Sequence, residues 1–290
     1  MHQGLQHILS SVPVLCDGGW GTELQAAGLG AGECPDSWNL SHPELVKRVA
    51  SRYVEAGSNV ILTNTFRANR IALQLYGLDD QVTSINRAGA MLSLAAAQNL
   101  AAVFASIGPT GKLLMTGDIT EDDVRIAFTE QAKILASAGA AGIVMETFSD
   151  ITELTIAISA ARETGLPVVA SMAYDSGKEH DRTMMGTTPE AAARAIEHAG
   201  ADVIGANCGT GIEAYVPICS RLRRATTLPV WIKPNAGLPE MAGERTVYRQ
   251  TPKEFAYHAL ALRDAGASFI GGCCGTTPEF IQELRTVLRA

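Results

Sequence analysis

His198-Ala199-Gly200-Ala201-Asp202-Val203-Ile204-Gly205-Ala206-Asn207-Cys208 is the stretch whose reading decides the fold. A helical pattern runs into Ala199, and the glycine just past it stops the helix in the left-handed conformation. A short apolar run over 202–207 begins at once and ends on a polar tip. The helix-ending phrase recurs as Glu55-Ala56-Gly57, Ser137-Ala138-Gly139-Ala140 and Asp264-Ala265-Gly266-Ala267. Working outward, Val- and Ile-rich runs lie at 13–17, 59–64, 103–107, 142–146, 167–172, 202–207, 229–234 and 268–272. They read as strands buried on both faces. Helical patterns at 42–56, 80–100, 121–138, 151–164, 189–198, 212–224, 252–265 and 278–289 separate them. Thr188-Pro189, Thr251-Pro252 and Thr277-Pro278 each set a capping hydroxyl before a proline at the first helical position. Eight strands, each followed by a helix, is the count for an α/β fold of (β/α)₈ TIM-barrel type. An open doubly wound sheet is the alternative. No linker-like shift in composition interrupts the chain, so residues 1–290 read as one domain.

Composition narrows the function. The chain is 47% hydrophobic and 18% charged, an ordinary globular balance. A net charge of -7 argues against a broad basic surface for nucleic acid. Residues 1–14 have neither a basic start nor a long apolar core, so they do not read as a signal peptide. No apolar run is long enough to span a bilayer, so no membrane partner is expected. The expected location is cytoplasmic, where thiols stay reduced and clustered cysteines serve metal or catalysis.

The chemistry concentrates at Cys208, in Gly205-Ala206-Asn207-Cys208-Gly209, and at Cys273-Cys274, in Gly271-Gly272-Cys273-Cys274-Gly275. Each follows an apolar run and is wrapped in glycine, which lets backbone and ligand come close. Three thiolates from two such points leave one corner of a tetrahedral metal open. That is the pattern of a catalytic zinc, because a structural zinc takes four protein ligands. Two other readings exist: a lone buried Cys is commonly a small hydrophobe, and neighbouring cysteines form disulfides in oxidising compartments. Cys16, Cys34 and Cys219 lack glycine-flanked partners and read as ordinary free thiols.

In a (β/α)₈ barrel the active site lies at the C-terminal ends of the strands. Asp17, Asn64 with Thr65, Glu146, Asn207 with Cys208, Asn235, and Cys273 with Cys274 all fall at such ends. The sixth and eighth tips can then converge on one ion, with Asn235 between them. Each carries a structural alternative as well. Asp17 could cap a helix after the glycine turn, Glu146 could belong to a structural ion pair, and Asn64 and Asn235 could be turn residues.

Several stretches together resemble the homocysteine S-methyltransferase family. They are Asp17-Gly18-Gly19-Trp20-Gly21-Thr22-Glu23, Thr63-Asn64-Thr65-Phe66, Ser106-Ile107-Gly108-Pro109-Thr110-Gly111, Met145-Glu146-Thr147-Phe148, Gly205-Ala206-Asn207-Cys208 and Gly271-Gly272-Cys273-Cys274-Gly275. The resemblance runs in order from about Val14 to the C-terminus. It implies a barrel that binds Zn²⁺ through Cys208, Cys273 and Cys274 and transfers a methyl group to the thiol of homocysteine, giving methionine. It further implies that Asp17 and Glu146 lie near the substrate amino acid. Asn235 matches an asparagine that can take the fourth metal position when substrate is absent. Gly18, in the glycine turn, and Asn64 and Thr65 complete the expected substrate contacts.

The methyl donor stays open between a small onium compound and a methylated corrinoid protein. An onium donor calls for aromatic faces near the metal, and Trp20 is a candidate. The alternative function is a thiol-binding zinc subunit of a corrinoid-dependent methyltransferase complex, with homocysteine or another thiol as acceptor. A barrel aldolase or lyase with redox cysteines is weaker. Lys233 is the only lysine at a strand end, and Pro234 follows it directly.

Overall fold

A computed structural model describes residues 2–243 and 245–289. Its eight long-chain strands are β1 (Val14–Leu15), β2 (Val60–Leu62), β3 (Ala102–Ile107), β4 (Gly142–Phe148), β5 (Val168–Met172), β6 (Val203–Gly211), β7 (Val230–Asn235) and β8 (Phe269–Ile270). The helices that follow them in turn are α1 (Pro43–Ala56), α2 (Val82–Ala97), α3 (Glu121–Ser137), α4 (Ile151–Arg162), α5 (Pro189–Ala199), α6 (Ile212–Ala225), α7 (Pro252–Asp264) and α8 (Pro278–Leu288). All neighbouring strands pair in parallel, in the order β1-β8-β7-β6-β5-β4-β3-β2. Cys16 bridges Val60 in parallel, so the two ends of the sheet meet and the barrel closes. The open-sheet alternative is thereby excluded.

Side chains alternate across the barrel wall with the period of two that a strand imposes. Val14, Val60, Leu62, Phe104, Val144, Val169, Val203, Trp231 and Phe269 fill the interior. Their neighbours Leu15, Ile61, Val103, Ala105, Ile143 and Met145 face the helices instead. The interior is a packed core, with the Trp231 and Phe269 rings 5.2 Å apart. Leu5, from a single helical turn at Gln3–Gln6, joins the interior set. His2 bonds the Gly165 carbonyl just ahead of β5, so this segment covers the N-terminal end of the barrel.

The helix-ending glycines behave as their sequence demands: Gly57 and Gly200 cap α1 and α5 at φ 104° and 88°. Thr188 and Thr251 accept the expected capping bonds. Thr277 does not; its hydroxyl bonds Glu279 instead. The pattern over 80–100 divides into a 3₁₀ turn at Asp79–Gln81 and α2, which ends where Gln98 turns left-handed. Pieces not expected from periodicity are helices Trp20–Ala26, Trp38–Ser41 and Arg70–Gln74 and a hairpin of Glu240–Ala242 with Arg245–Val247. All four lie in strand-to-helix connections, at the face where the functional side chains gather. Among the described residues, no helix is long and apolar enough to cross a membrane.

Candidate metal and substrate site

The sulfur atoms of Cys208, Cys273 and Cys274 lie within 4.8 Å of one another. The Cys208 and Cys274 sulfurs are 3.9 Å apart. Cys208 reaches this point because β6 leaves its regular register with β7 between Cys208 and Gly211. Cys208 itself takes a left-handed φ of 64°. A break of this kind re-aims a side chain at a strand end. Cys273 and Cys274 follow β8, anchored by a Cys273 N–H bond of 2.7 Å to the Pro234 carbonyl. Gly275, at φ 79°, has no room for a side chain: a Cβ there would lie 2.3 Å from the Tyr248 ring. Glycine is thus required to lay Tyr248 over the turn that carries the two cysteines.

The donor set fits a metal ion. Bonding with Cys273 pulls the Cys208 thiol down, but bonding with Cys274 and burial outweigh it and push Cys208 up to about 12. Cys274 is likewise pushed up to about 12: its bond with Cys208 lowers it, while Cys273 and burial raise it. Three half-buried sulfurs this close become thiolates together only around a cation, and metal binding releases those protons. Cys16, Cys34 and Cys219 are buried elsewhere as free thiols, as expected.

Asn207 holds the frame. Its Oδ1 accepts from the Thr147 N–H at 2.9 Å and from the Ser171 hydroxyl at 2.6 Å. Its Nδ2 donates to the Thr147 hydroxyl at 2.6 Å and approaches the Cys273 sulfur at 3.9 Å. Thr147 sits at φ 66°, beside a register shift between β4 and β5. A β-branched residue held left-handed costs on the order of 1–3 kcal/mol, and persists only where its surroundings fix it. Asn207→Ala is expected to lower stability by about 2–4 kcal/mol, because it strands Thr147 and Ser171 on two neighbouring strands and frees the loop that carries Cys273. Urea unfolding at an unchanged slope measures this. A loss below about 1 kcal/mol would mean that the amide is not holding the frame.

Cys208, Cys273 and Cys274 line a cavity of about 250 Å³. Glu146 and Lys233 line the same cavity. The Ser106 hydroxyl donates to Glu146 Oε1 at 2.5 Å, while Oε2 has no partner among the described residues. Burial pushes the Glu146 carboxyl up, and Lys233 and the Ser106 bond act against it. Lys233 is 2% exposed and Asp17 fully buried, with 2.5 Å between Nζ and Oδ1. Burial alone would pull the Lys233 ammonium down, but Asp17 and Glu146 outweigh it and hold the group above its ordinary value.

Asp17 is therefore buried in an ion pair. Its Oδ2 accepts from the Trp20 indole and the Leu62 N–H, both at 2.7 Å. It does not cap the helix Trp20–Ala26, whose N-cap is Gly19 without a side-chain bond. Of the remaining expected contacts, Gly18 and Asn64 line the cavity, while Thr65 and Asn235 do not. Thr65 is tied to the Ser106 carbonyl at 2.7 Å. The Asn64 amide donates to the Pro35 carbonyl and the Asn39 side chain, so it joins two loops as well as forming a wall. Asn235 Oδ1 accepts from the Cys274 N–H at 3.0 Å, and Nδ2 donates to the Gly209 carbonyl at 3.3 Å. Its amide ties together the two loops that carry the sulfurs.

Asn207 was expected at a strand tip without a role, and Ser106 and Lys233 are functional neighbours that were not among the expected site residues. A usable signal existed for Lys233. A lone cation inside the apolar run 229–234 demands a buried counter-charge, and Asp17 is at another strand tip.

The homocysteine S-methyltransferase family model matches residues 14–288. The chain belongs to that family, whose members are methyl-transferring enzymes. It is 32% identical over 300 residues to a methionine synthase of Mycobacterium tuberculosis, covering 97% of this chain and 25% of that protein. A methionine synthase of Mycobacterium leprae is also 32% identical, over 288 residues, covering 92% of this chain and 24% of that protein. The chain thus spans about a quarter of the length of these relatives. Among solved structures it resembles the homocysteine methyltransferase MmuM of Escherichia coli in its metallated form. There the TM-score is 0.82 at 22% identity, covering 99% of this chain and 100% of that one. The apo form gives 0.76 at 21% identity, covering 98% and 100%. These likenesses bear on the barrel fold.

Proposed function

We propose that this barrel binds homocysteine and presents its sulfur to a methyl donor, giving methionine. The observation that carries the reading is the pairing, in one cavity, of three converging cysteine sulfurs with the unsatisfied carboxylate oxygen of Glu146. An amino acid with a terminal thiol matches both ends.

Cys208, Cys273 and Cys274 would hold Zn²⁺, which binds a substrate thiol and keeps it as thiolate near neutral pH. Glu146 accepts the substrate ammonium, and Ser106 keeps that carboxylate aimed at the cavity. Gly18 and Gly21 line the cavity, and their N–H groups, without a partner among the described residues, suit the substrate carboxylate. Gly19 is not available for this, because its N–H donates to the Thr276 carbonyl at 3.0 Å. Asn207 and Asn235 fix the loops that carry the sulfurs. The homocysteine sulfur pair forms the new S–CH₃ bond as the donor's bond to that methyl breaks. The protein's contribution is orientation and exclusion of water.

The span of a quarter of the methionine synthases favours a second reading of the donor side. In it the methyl group comes from a methylated corrinoid protein outside residues 1–290, and this chain acts as the thiol-binding zinc unit of a complex. The first reading takes a small onium donor, with Trp20 and Phe66 as the aromatic faces of the cavity. Methyl transfer to homocysteine by the purified protein, across sulfonium and ammonium donors and with a methylated corrinoid protein, separates them. Absence of methionine with every donor would overturn both.

Glu146→Gln is expected to keep zinc and to weaken homocysteine binding by on the order of 2–5 kcal/mol, the cost of losing a buried charged contact to the ammonium. Steady-state KM with zinc content measured on the same sample checks it. Unchanged kinetics would make Glu146 structural.

A further inference from the structure

Two buried carboxylates, Asp17 and Glu146, share one buried cation, Lys233. The sharing is unequal. Lys233 is bonded to Asp17 at 2.5 Å and acts on Glu146 only through space, with no hydrogen bond between them. Both Asp17 oxygens are engaged, Oδ1 by Lys233 and Oδ2 by Trp20 and Leu62, and Asp17 does not line the cavity. Glu146 lines it with one oxygen unpartnered. By formal charge two carboxylates face one ammonium, and Glu146 is the carboxylate without a bonded cation. Burying it is costly unless a cation arrives.

We propose that Asp17 is a positioning residue that acts through Lys233: it holds the lysine off Glu146, so that Glu146 stays open for the ammonium of the substrate. The proposal rests on the reading of Glu146 given above. Lys233 and a substrate ammonium carry the same charge and the same donors. With Asp17 neutralised, the nearest carboxylate left to Lys233 is Glu146, and the lysine becomes a competitor tethered inside the site. Asp17 thus discriminates for amino-bearing thiols without touching them. This differs from a direct contact between Asp17 and the substrate, because Asp17 does not line the cavity and both its oxygens are already engaged.

The test compares homocysteine with 4-mercaptobutyrate, which has the same thiol and chain and no amino group. Binding of each to the zinc-loaded protein is measured by calorimetry. Asp17→Asn is expected to weaken homocysteine roughly 30-fold, the low end for loss of a buried charge contact, and to leave 4-mercaptobutyrate within about threefold. Asp17→Asn/Lys233→Met removes the competitor and is expected to recover most of the homocysteine affinity. A double variant as weak as Asp17→Asn would overturn the proposal, because a structural or directly contacting Asp17 is not rescued by deleting Lys233. The crystal structure of Asp17→Asn gives a readout that needs no ligand. The expected result is a Lys233–Glu146 hydrogen bond, and a Lys233 ammonium that stays at position 17 overturns the proposal. If the wild-type protein binds neither thiol while that bond forms, the functional reading fails and the charge partition stands.

Discussion

Cys274→Ala is expected to lose zinc and between about tenfold and about a thousandfold of homocysteine methylation. The estimate has two parts. A free thiol near pKa 8.5 is only about one-tenth ionised at pH 7.5, so the lost activation of the nucleophile costs roughly tenfold. The sulfur also loses its fixed position, and misplacement by about an ångström costs up to about a further hundredfold. Cys208→Ala and Cys273→Ala should behave alike, since the three sulfurs lie within 4.8 Å as one set. Metal content by plasma emission and methionine formation are measured on the same preparations. Cys219→Ala serves as the control, because Cys219 is buried between α6 and α7, where it approaches the Leu262 and Ala265 carbonyls. It should keep both zinc and activity. Full zinc occupancy in Cys274→Ala would remove the proposed ligand set and the mechanism with it.

The barrel was legible because its signals are local and repeated. Apolar runs and glycine-stopped helices need only a few residues each, and the observed elements differ from the expected ones mostly by one to three residues at their ends. β6 departs most, running four residues further to Gly211, while β1 and β8 stop early, since the chain there turns to form the site while still bonding across: Gly272 N–H donates to the Asp17 carbonyl at 2.9 Å. The clustering of Cys208 with Cys273 and Cys274 was legible too, from their places at strand tips. The partnerships among polar side chains were not. That Asp17 faces Lys233 and not the cavity depends on which way each side chain points where the strand ladder ends. Sequence periodicity carries no such direction there. Asn235 illustrates the same point: strand position puts it between the sulfurs, but only the loop geometry turns its oxygen to the Cys274 N–H. Thr147 and Cys208 are left-handed without being glycine, and no residue pattern announces that.

Lys233→Met is expected to destabilise the protein by about 3–5 kcal/mol, the usual cost of removing one partner from a buried ion pair. The lysine is 2% exposed, and its partner Asp17 is fully buried. Without it, Asp17 and Glu146 remain as two carboxylates with no buried cation among the described residues to balance them. Methionine matches the aliphatic stem, so the packing against Trp231, whose ring lies 5.7 Å from Nζ, is largely kept. The measured loss therefore reports charge. Urea midpoints at constant slope provide the number, and a loss within about 1 kcal/mol of wild type would mean that the pair contributes little to folding. Asp17→Asn should cost less than Lys233→Met, since Lys233 still has Glu146 to turn to, whereas the carboxylates have no second lysine. In Asp17→Asn/Lys233→Met a single buried carboxylate remains, and stability should recover beyond the sum of the two single losses. That coupling follows from the unequal sharing of one cation, and two independent hydrogen-bonding groups would not produce it.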